Sequence, residues 1–348
     1  MTLKEKQNIL SQLGIIFKNL SESNPWPGYS VGINEDEYND LNQLIETVHI
    51  YNGWFKPDQI RKSLAGISSW LNEESLEKWL AAYTLKDSSN KKVAIIMAGN
   101  IPLVGFHDLI AVFLSGHKAI VKLSSDDKHL LPAVLKILTL FDERIKEEIT
   151  IAQNQIGDFD AVIATGSDNS ARYFESYFGK HPNIIRKNRS SIAVLDGTET
   201  KEELTELGKD IFDYFGLGCR NVSQIWIPED FELNRFFEAI YPYNEIINHN
   251  KYANNYDYNK AVKLLNEENL LDNGFLLLKE DDSLNSPLAV LHYQRYKDRQ
   301  QVLDFIKEND DQIQAVVGKD FIPFGNSQKP SLTDYADGVD TLGFLSKL

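Results

Sequence analysis

The sequence predicts an α/β fold, in which a helical N-terminal region leads into two doubly wound sections where short apolar strands alternate with amphipathic helices. Three observations carry this. Residues 1–90 contain repeated helix-period patterns and no strand-like run. From Lys91 onward, apolar runs of strand length alternate with helix-period stretches, and a second such series begins at Ser191. Alternation of this kind is satisfied most economically by mostly parallel sheets with helices on both faces. The expected organisation is a helical region at 1–90, a dinucleotide-binding α/β domain at 91–188, a second α/β domain with the single cysteine at 189–320, and a C-terminal segment at 321–348 that packs back on the fold.

In chain order, residues 24–29 read Asn-Pro-Trp-Pro-Gly-Tyr, which two prolines and a glycine keep from being helical; they are expected to cross the surface of a later domain. Helical patterns follow at 38–51 and at 73–83, where Leu76, Trp79, Leu80 and Tyr83 fall in register. Strands are expected at 93–97, 119–123 and 161–164, interleaved with helices at 103–114, 126–141 and 167–178. The second series opens with a strand at 191–196 and a helix begun by Thr200, with Glu203 three residues on as a capping box. Leu204, Leu207, Ile211 and Phe215 form its apolar stripe, and a glycine turn ends it just before a strand at 223–227. The last stretch carries Pro323, Gly325, Pro330 and Gly338, as expected of an ordered tail laid over another element.

Composition narrows the function. With 42% hydrophobic and 25% charged residues the chain can bury a sizeable core. A net charge of -15 argues against duplex nucleic acid or an anionic membrane surface as partner, because both require clustered Lys and Arg. Small molecules or proteins are the expected partners. One cysteine cannot form an intramolecular disulfide and suits a reducing compartment, so a cytoplasmic location is expected. The polar amino terminus shows no secretory signal, and the longest apolar stretches, 93–98 and 109–114, are too short to span a membrane. Seven histidines are present without an H-E-x-x-H pattern or further cysteines, so no metal site is expected. Asp126-Asp127 and Asp281-Asp282 read as solvated acidic surface, and His107 and His117, flanking one helix, as structural.

Cys219 lies in Phe-Gly-Leu-Gly-Cys-Arg-Asn, residues 215–221. A structural cysteine more often sits inside an apolar run, whereas this thiol is placed as a nucleophile would be. The attacking form is the thiolate, which an ordinary thiol pKa of about 8.5 leaves scarce at neutral pH. The preceding helix points its negative carboxyl end at the turn and disfavours the thiolate, so stabilisation must come from elsewhere, either Arg220 or the amides of the turn. Arg220 could equally be a solvated surface residue.

Asn100 follows the first strand of the first series, at the edge where doubly wound sheets bind ligands. Its amide could stabilise the oxyanion formed when a carbonyl is attacked, or it could simply cap the next helix. Lys122 and Ser124 end the second strand and could hold ribose hydroxyls or a phosphate. Thr165, Gly166 and Ser167 stand just before a helix whose amide end suits anions. The G-x-G-x-x-G fingerprint is missing, so cofactor binding cannot be argued from that motif.

In this order, GNIPLVGFHDLIAVFLSGHKAIVKLSSDD, ATGSD, FGLGCRN and PFGNSQKPSLTDYADGVDTLGF resemble the LuxC-type acyl-CoA reductases, the fatty acyl reductases of bacterial luminescence and their relatives in the aldehyde dehydrogenase superfamily. The resemblance, over residues 35–348, implies an aldehyde dehydrogenase-like fold. It also implies Cys219 as nucleophile, Asn100 as oxyanion donor, Lys122 at the adenosine ribose, and Thr165, Gly166 and Ser167 along the dinucleotide site. Hydrolytic superfamily members carry a water-activating glutamate in the segment matching 183–189, which here has no carboxylate. Without that base an acyl-enzyme persists until it is reduced. A ribose-binding carboxylate is matched only loosely by 281–287. The implied activity is NADPH-dependent reduction of a fatty acyl thioester, on CoA or a carrier, to the aldehyde through an acyl-cysteine; the residues leave NADH open. A homo-oligomer and an acyl-transferring partner enzyme are implied as well. The competing readings are a CoA-acylating aldehyde dehydrogenase acting on short aldehydes with NAD, distinguishable by chain-length preference, and a non-catalytic assembly subunit of the same fold, distinguishable by failure to form an acyl-enzyme.

Overall fold

The computed structural model describes residues 1–30, 32–85, 91–153 and 155–348, and the chain divides into two compact units, residues 1–187 with 331–348, and residues 188–330. The end of the expected helical region, residues 86–90, lies outside the described residues.

The first unit starts with four helices, α1 (Leu3–Ser21), α2 (Glu35–Thr47), α3 (Pro57–Trp70) and α4 (Glu73–Leu80). Capping boxes at Thr2/Glu5 and Asn34/Glu37 start the first two, and Pro57 starts the third at a position where its missing N–H costs nothing. Residues 24–29 are non-helical, and Trp26 and Tyr29 pack against the hydrophobic core of this unit. The Trp26 ring stands 4.9 Å from Tyr29 and 5.6 Å from Tyr38 of α2, and Tyr38 donates to the Asn24 carbonyl at 2.7 Å. Its partly buried aromatic side chains hold the segment against these helices.

The sheet of this unit is built from β1 (Lys92–Ile96), α5 (Phe106–Leu114), β2 (Lys118–Lys122), α6 (Leu130–Phe141), α7 (Ile145–Glu148), β3 (Ile149–Ile151), β4 (Ala161–Thr165), α8 (Asp168–Phe178) and β5 (Asn183–Arg186). Its strands are all parallel, in the order β3-β2-β1-β4-β5. The central strands β1 and β4 are apolar almost throughout, as burial on both faces requires. Helices α1, α3 and α4 share one hydrophobic core with α5 and α6. Phe17 packs on Phe106 with ring centres 6.1 Å apart, and the buried Lys6 ammonium donates to the Phe113 carbonyl at 3.0 Å and pairs with Glu148 at 3.3 Å.

Residues 331–348, which include the last helix of the chain, α13 (Thr341–Ser346), close this unit. Tyr335 accepts from the Trp79 indole at 2.6 Å, His107 donates to the Leu332 carbonyl at 3.0 Å, and His117 donates to the Leu345 carbonyl at 2.9 Å. Both histidines thus fasten the tail. Arg186, at the end of β5, is buried in an ion pair with Asp108 of α5 and donates to the Thr341 hydroxyl at 2.9 Å.

The second unit contains β6 (Ser190–Val194), α9 (Lys201–Phe212), β7 (Val222–Pro228), α10 (Leu233–Ile240), α11 (Asn250–Leu265), β8 (Leu271–Asp272), β9 (Leu277–Glu280), β10 (Val290–Tyr296), α12 (Arg299–Glu308) and β11 (Ile313–Val317). Its six strands run in the order β11-β6-β7-β10-β9-β8, and only the β8–β9 pair is antiparallel. Alternation along the strands divides the core between the faces: Ala193, Ile225 and Ile227 pack in one cluster, Ile192, Val194 and Trp226 in the other. The capping box at Thr200 and Glu203 forms as the sequence indicates, with amide contacts of 3.1 and 2.8 Å. The helix stops at Phe212, however, before the expected stripe reaches Phe215. Tyr214, Phe215 and Gly216 take left-handed φ values of 53°, 58° and 78° and reverse the chain.

The buried Arg186–Asp108 pair ties β5, α5 and the tail together, and breaking one partner strands a charge in the core. Asp108→Ala should lose about 3–5 kcal/mol of stability in urea unfolding followed by tryptophan fluorescence, and Asp108→Leu combined with Arg186→Met should recover most of it. Equal losses for the single and double variants would show that the pair is not what holds the tail.

Candidate active site

The strand order of the first unit decides which loops become neighbours. The chain steps from β1 to β2 to β3 in one direction and then returns to place β4 on the other side of β1. The loops after β1, β2 and β4 therefore emerge side by side at the carboxyl edge of the sheet, the switch point where doubly wound folds bind ligands. Asn100 lies on the first of these loops, Lys122 and Ser124 at the second, and Thr165, Gly166 and Ser167 at the third. A side chain at Gly99 would come within 2.6 Å of the Ser124 hydroxyl, so the glycine is what lets the first two loops touch.

Asn100 is exposed and is not a helix cap. Helix α5 begins at Phe106 with Gly105 as its N-cap, so the segment from Asn100 to the helix is a loop with its own supports. Ser63 of α3 donates to the Pro102 carbonyl at 2.8 Å, and Asp127 accepts from the Leu103 amide at 3.1 Å, with Leu103 at a left-handed φ of 55°. A small pocket under this loop is lined by Met97, Ala98, Leu103, Phe106, Leu123 and Asp127. Asp127 is thus buried and not a solvated acid, and burial pushes its carboxyl up from 3.8 to about 6 against the pull of the Leu103 amide. Sequence reasoning missed it because an Asp-Asp pair after a strand looks like surface. Only the first of the two, Asp126, is exposed.

Lys122 donates to the Gln153 carbonyl at 3.2 Å, Ser124 accepts from the Asp126 amide at 3.2 Å, and Ser167 is the N-cap of α8, accepting from the Ser170 amide at 3.3 Å. An ammonium at the end of β2 and a helix amino terminus at the end of β4 fit the ribose and phosphates of a dinucleotide.

In the second unit Cys219 is exposed at the corner of a four-residue turn closed by the Asn221 amide on the Gly218 carbonyl at 3.0 Å. The Asn221 side chain completes the turn: its carbonyl accepts from the Gly218 amide at 2.8 Å, and its NH2 donates to the carbonyls of Asp213 at 2.8 Å, Asp210 at 3.1 Å and Ile211 at 3.4 Å. Ser191 of β6 donates to the Cys219 carbonyl at 2.9 Å. The Asp210 carboxylate in turn accepts from the Gly325 and Ser327 amides at 2.6 and 2.8 Å, so the Cys219 turn and the Pro-Phe-Gly-Asn-Ser segment hang from one residue of α9.

The basic residues of 183–189 are committed elsewhere. Arg186 pairs with Asp108, Lys187 with Glu175 at 2.9 Å, and Arg189 donates to the carbonyls of Ile313 and Asp310 at 3.0 Å. In the 281–287 stretch, Asp281 pairs with Lys279 at 2.7 Å, and that hydrogen bond holds its carboxyl below the usual range. Gln224, His292 and Ser223 bind the carbonyls of Asp281, Ser283 and Leu284, respectively, at 3.2, 2.8 and 2.6 Å, laying the stretch across the sheet. Among the described residues no group of three or more His, Cys, Asp or Glu side chains could hold a metal, and no helix is long and apolar enough to cross a membrane.

The family model described as acyl-CoA reductase (LuxC) matches residues 41–319. A long-chain acyl-protein thioester reductase of Aliivibrio fischeri is 22% identical over 252 residues, which is 64% of this chain and 52% of the relative. The chain thus spans about half the length of that protein. Aldehyde dehydrogenase 21 of Physcomitrella patens, solved with the product succinate, superposes with a TM-score of 0.65 at 12% identity, covering 98% of this chain and 79% of its own. The Mycobacterium tuberculosis aldehyde dehydrogenase complexed with NAD+ gives 0.59 at 13% identity, covering 91% and 73%. The fold is that of the aldehyde dehydrogenases.

Asp127 yields a signed expectation. Its carboxyl binds a proton more tightly in the folded chain than in the unfolded one, so its contribution to stability is full below about pH 4 and lost as pH rises through about 6. Asp127→Asn, which keeps an acceptor for Leu103, should match the parent near pH 4 and exceed it above pH 7 by up to about 3 kcal/mol in urea unfolding. A difference independent of pH would rule out the buried carboxylate as its source.

Proposed function

Because the chain belongs to the LuxC family of acyl-CoA reductases, we propose that it reduces a fatty acyl thioester to the aldehyde through an acyl group carried on Cys219. The observation that carries the reading is the exposed corner position of Cys219 in a turn fixed by Asn221 and Ser191. A thiol that attacks a bulky thioester must be reachable and yet held in one orientation.

In this reading the Cys219 thiolate adds to the thioester carbonyl, the carbon–sulfur bond to the carrier breaks, and the carrier leaves as its thiol. Asn100 donates to the oxyanion in this step and again when the acyl-enzyme is reduced, together with the Cys219 amide. NADPH, when bound, supplies the hydride. The second tetrahedral centre then collapses to aldehyde, and the sulfur leaves as thiolate and regains its proton. Lys122 and Ser124 hold the adenosine end, and Thr165, Gly166 and Ser167 hold the phosphates. A cation flanked by hydroxyls at the end of β2, where NAD enzymes of doubly wound folds place a carboxylate on the ribose, supports the 2′-phosphorylated cofactor. Persistence of the acyl-enzyme is supported by the composition of 183–189, which carries no carboxylate to activate water. The acyl group arrives on CoA or on a protein carrier, and we assign the chain to a homo-oligomer served by an acyl-transferring partner.

The test uses radiolabelled acyl-CoAs of graded length. Label should accumulate on the wild-type chain and not on Cys219→Ser, and should be released as aldehyde on adding NADPH. Activity confined to acetyl and propionyl thioesters would favour a short-chain CoA-acylating dehydrogenase, and absence of any label or nucleotide binding a non-catalytic subunit. Asn100→Ala should lower kcat/KM by about 10²–10³. Lys122→Ala should raise the KM for NADPH by roughly 10-fold or more while leaving acylation of Cys219 intact, as expected for loss of one charged hydrogen bond. An unchanged KM would remove Lys122 from the cofactor site.

A further inference from the structure

The helix that leads to Cys219 ends with its carbonyls toward the turn, and that end carries about half a negative charge. Left alone, it works against a thiolate. The structure places one side chain on those carbonyls: the Asn221 NH2 lies within hydrogen-bonding distance of the Asp213, Asp210 and Ile211 oxygens, and the same side chain accepts from Gly218 on the other side of the cysteine. Asn221 is buried, and β7 begins at the next residue, so the amide cannot swing away.

Resting on the assignment of Cys219 as nucleophile, we propose that Asn221 is a positioning residue that covers the carbonyl end of α9 and closes the 218–221 turn, so that the thiol faces a neutralised helix end. Asparagine is suited to this and aspartate is not, because the task needs donors toward the helix and an acceptor toward Gly218. The charged or titratable groups around the turn are Arg220 beside the thiol, Asp213 at the helix end, Asp210, whose carboxylate is held by the Gly325 and Ser327 amides, and His249, whose ring stacks on Phe215 at 4.3 Å. Changing Asn221 removes none of these side chains.

Cys219 is the only thiol in the chain, so its ionisation can be read without substrate or cofactor. The rate of iodoacetamide labelling of the intact protein, followed by mass spectrometry from pH 5 to 10, gives the midpoint. Asn221→Ala should move the midpoint upward by roughly half a unit, slowing labelling about threefold at pH 7. Ser191→Ala, which loosens the Cys219 carbonyl without touching the helix end, should leave the midpoint in place. If Asn221→Ala does not melt cooperatively, Asn221→Ser, which keeps one short donor, serves in its place and should shift in the same direction. An unchanged midpoint in a folded Asn221 variant overturns the proposal, and so does an equal shift in Ser191→Ala. Neither result depends on acyl transfer, so a failure here leaves the acyl-thioester reading to its own test.

Discussion

The constraint on which the first unit depends is the direction of its strands. In a fully parallel sheet every strand delivers its following loop to the same edge, and each return crossing must be made by a helix or long loop on a face. Because β1 is laid down first and β4 returns to its free side, the loops after β1, β2 and β4 stand beside one another although the outer two follow strands that end far apart in sequence, at Lys122 and Thr165. Asn100, Lys122 and Ser167 owe their shared edge to this order. Helix α5 has to lie between β1 and β2 in the chain and be buried nearly all round, which explains a segment as apolar as residues 109–114. The buried charges nearby follow from the same packing: with helices and the tail stacked on α5, Asp108 pairs with Arg186, which also donates to Thr341.

The second unit solves a different problem, that of exposing a small side chain on a turn that must not move. Its support comes from residues far apart in sequence that meet on α9. Asp210 uses its backbone carbonyl toward Asn221 and its carboxylate toward Gly325 and Ser327. Burial raises its carboxyl, while the two amides pull the other way. A buried acid satisfied by backbone amides orders two loops at once, and neither loop could be rigid on its own turn chemistry alone.

Much of this was legible in the sequence, for identifiable reasons. The alternation of apolar runs and helix-period stretches reports the parallel sheets, because a strand buried on both faces has no polar side to interrupt it. The Thr200–Glu203 box marks a helix start because the signal is local. Features that depend on distant contacts were not legible. Asn100 could be read as a helix cap because nothing nearby reveals that Leu103 turns left-handed and delays α5 to Phe106. Phe215 fits the apolar stripe of α9 by spacing, and only the chain reversal takes it off the helix. Asp127 looks like one of two surface acids until Leu103 is seen to need its oxygen. Arg186 shows the limit from the other side: that 183–189 carries no carboxylate was evident, but that its arginine is buried against Asp108 was not.

The left-handed run before Cys219 is where these threads meet. Two bulky residues in that region cost about 1–2 kcal/mol each relative to ordinary backbone, so the reversal at Tyr214 and Phe215 must be offset locally. Both rings are buried, Phe215 against His249, which returns apolar burial for the strain. Gly216 completes the reversal at a φ of 78°, where a side chain would add to it. The alternative, a glycine-rich loop without buried rings, would relieve the strain and free the chain, and the thiol would then sample many orientations. Strain held in place by burial and by the four side-chain contacts of Asn221 therefore accomplishes what flexibility could not: an exposed cysteine on a turn whose backbone is fixed.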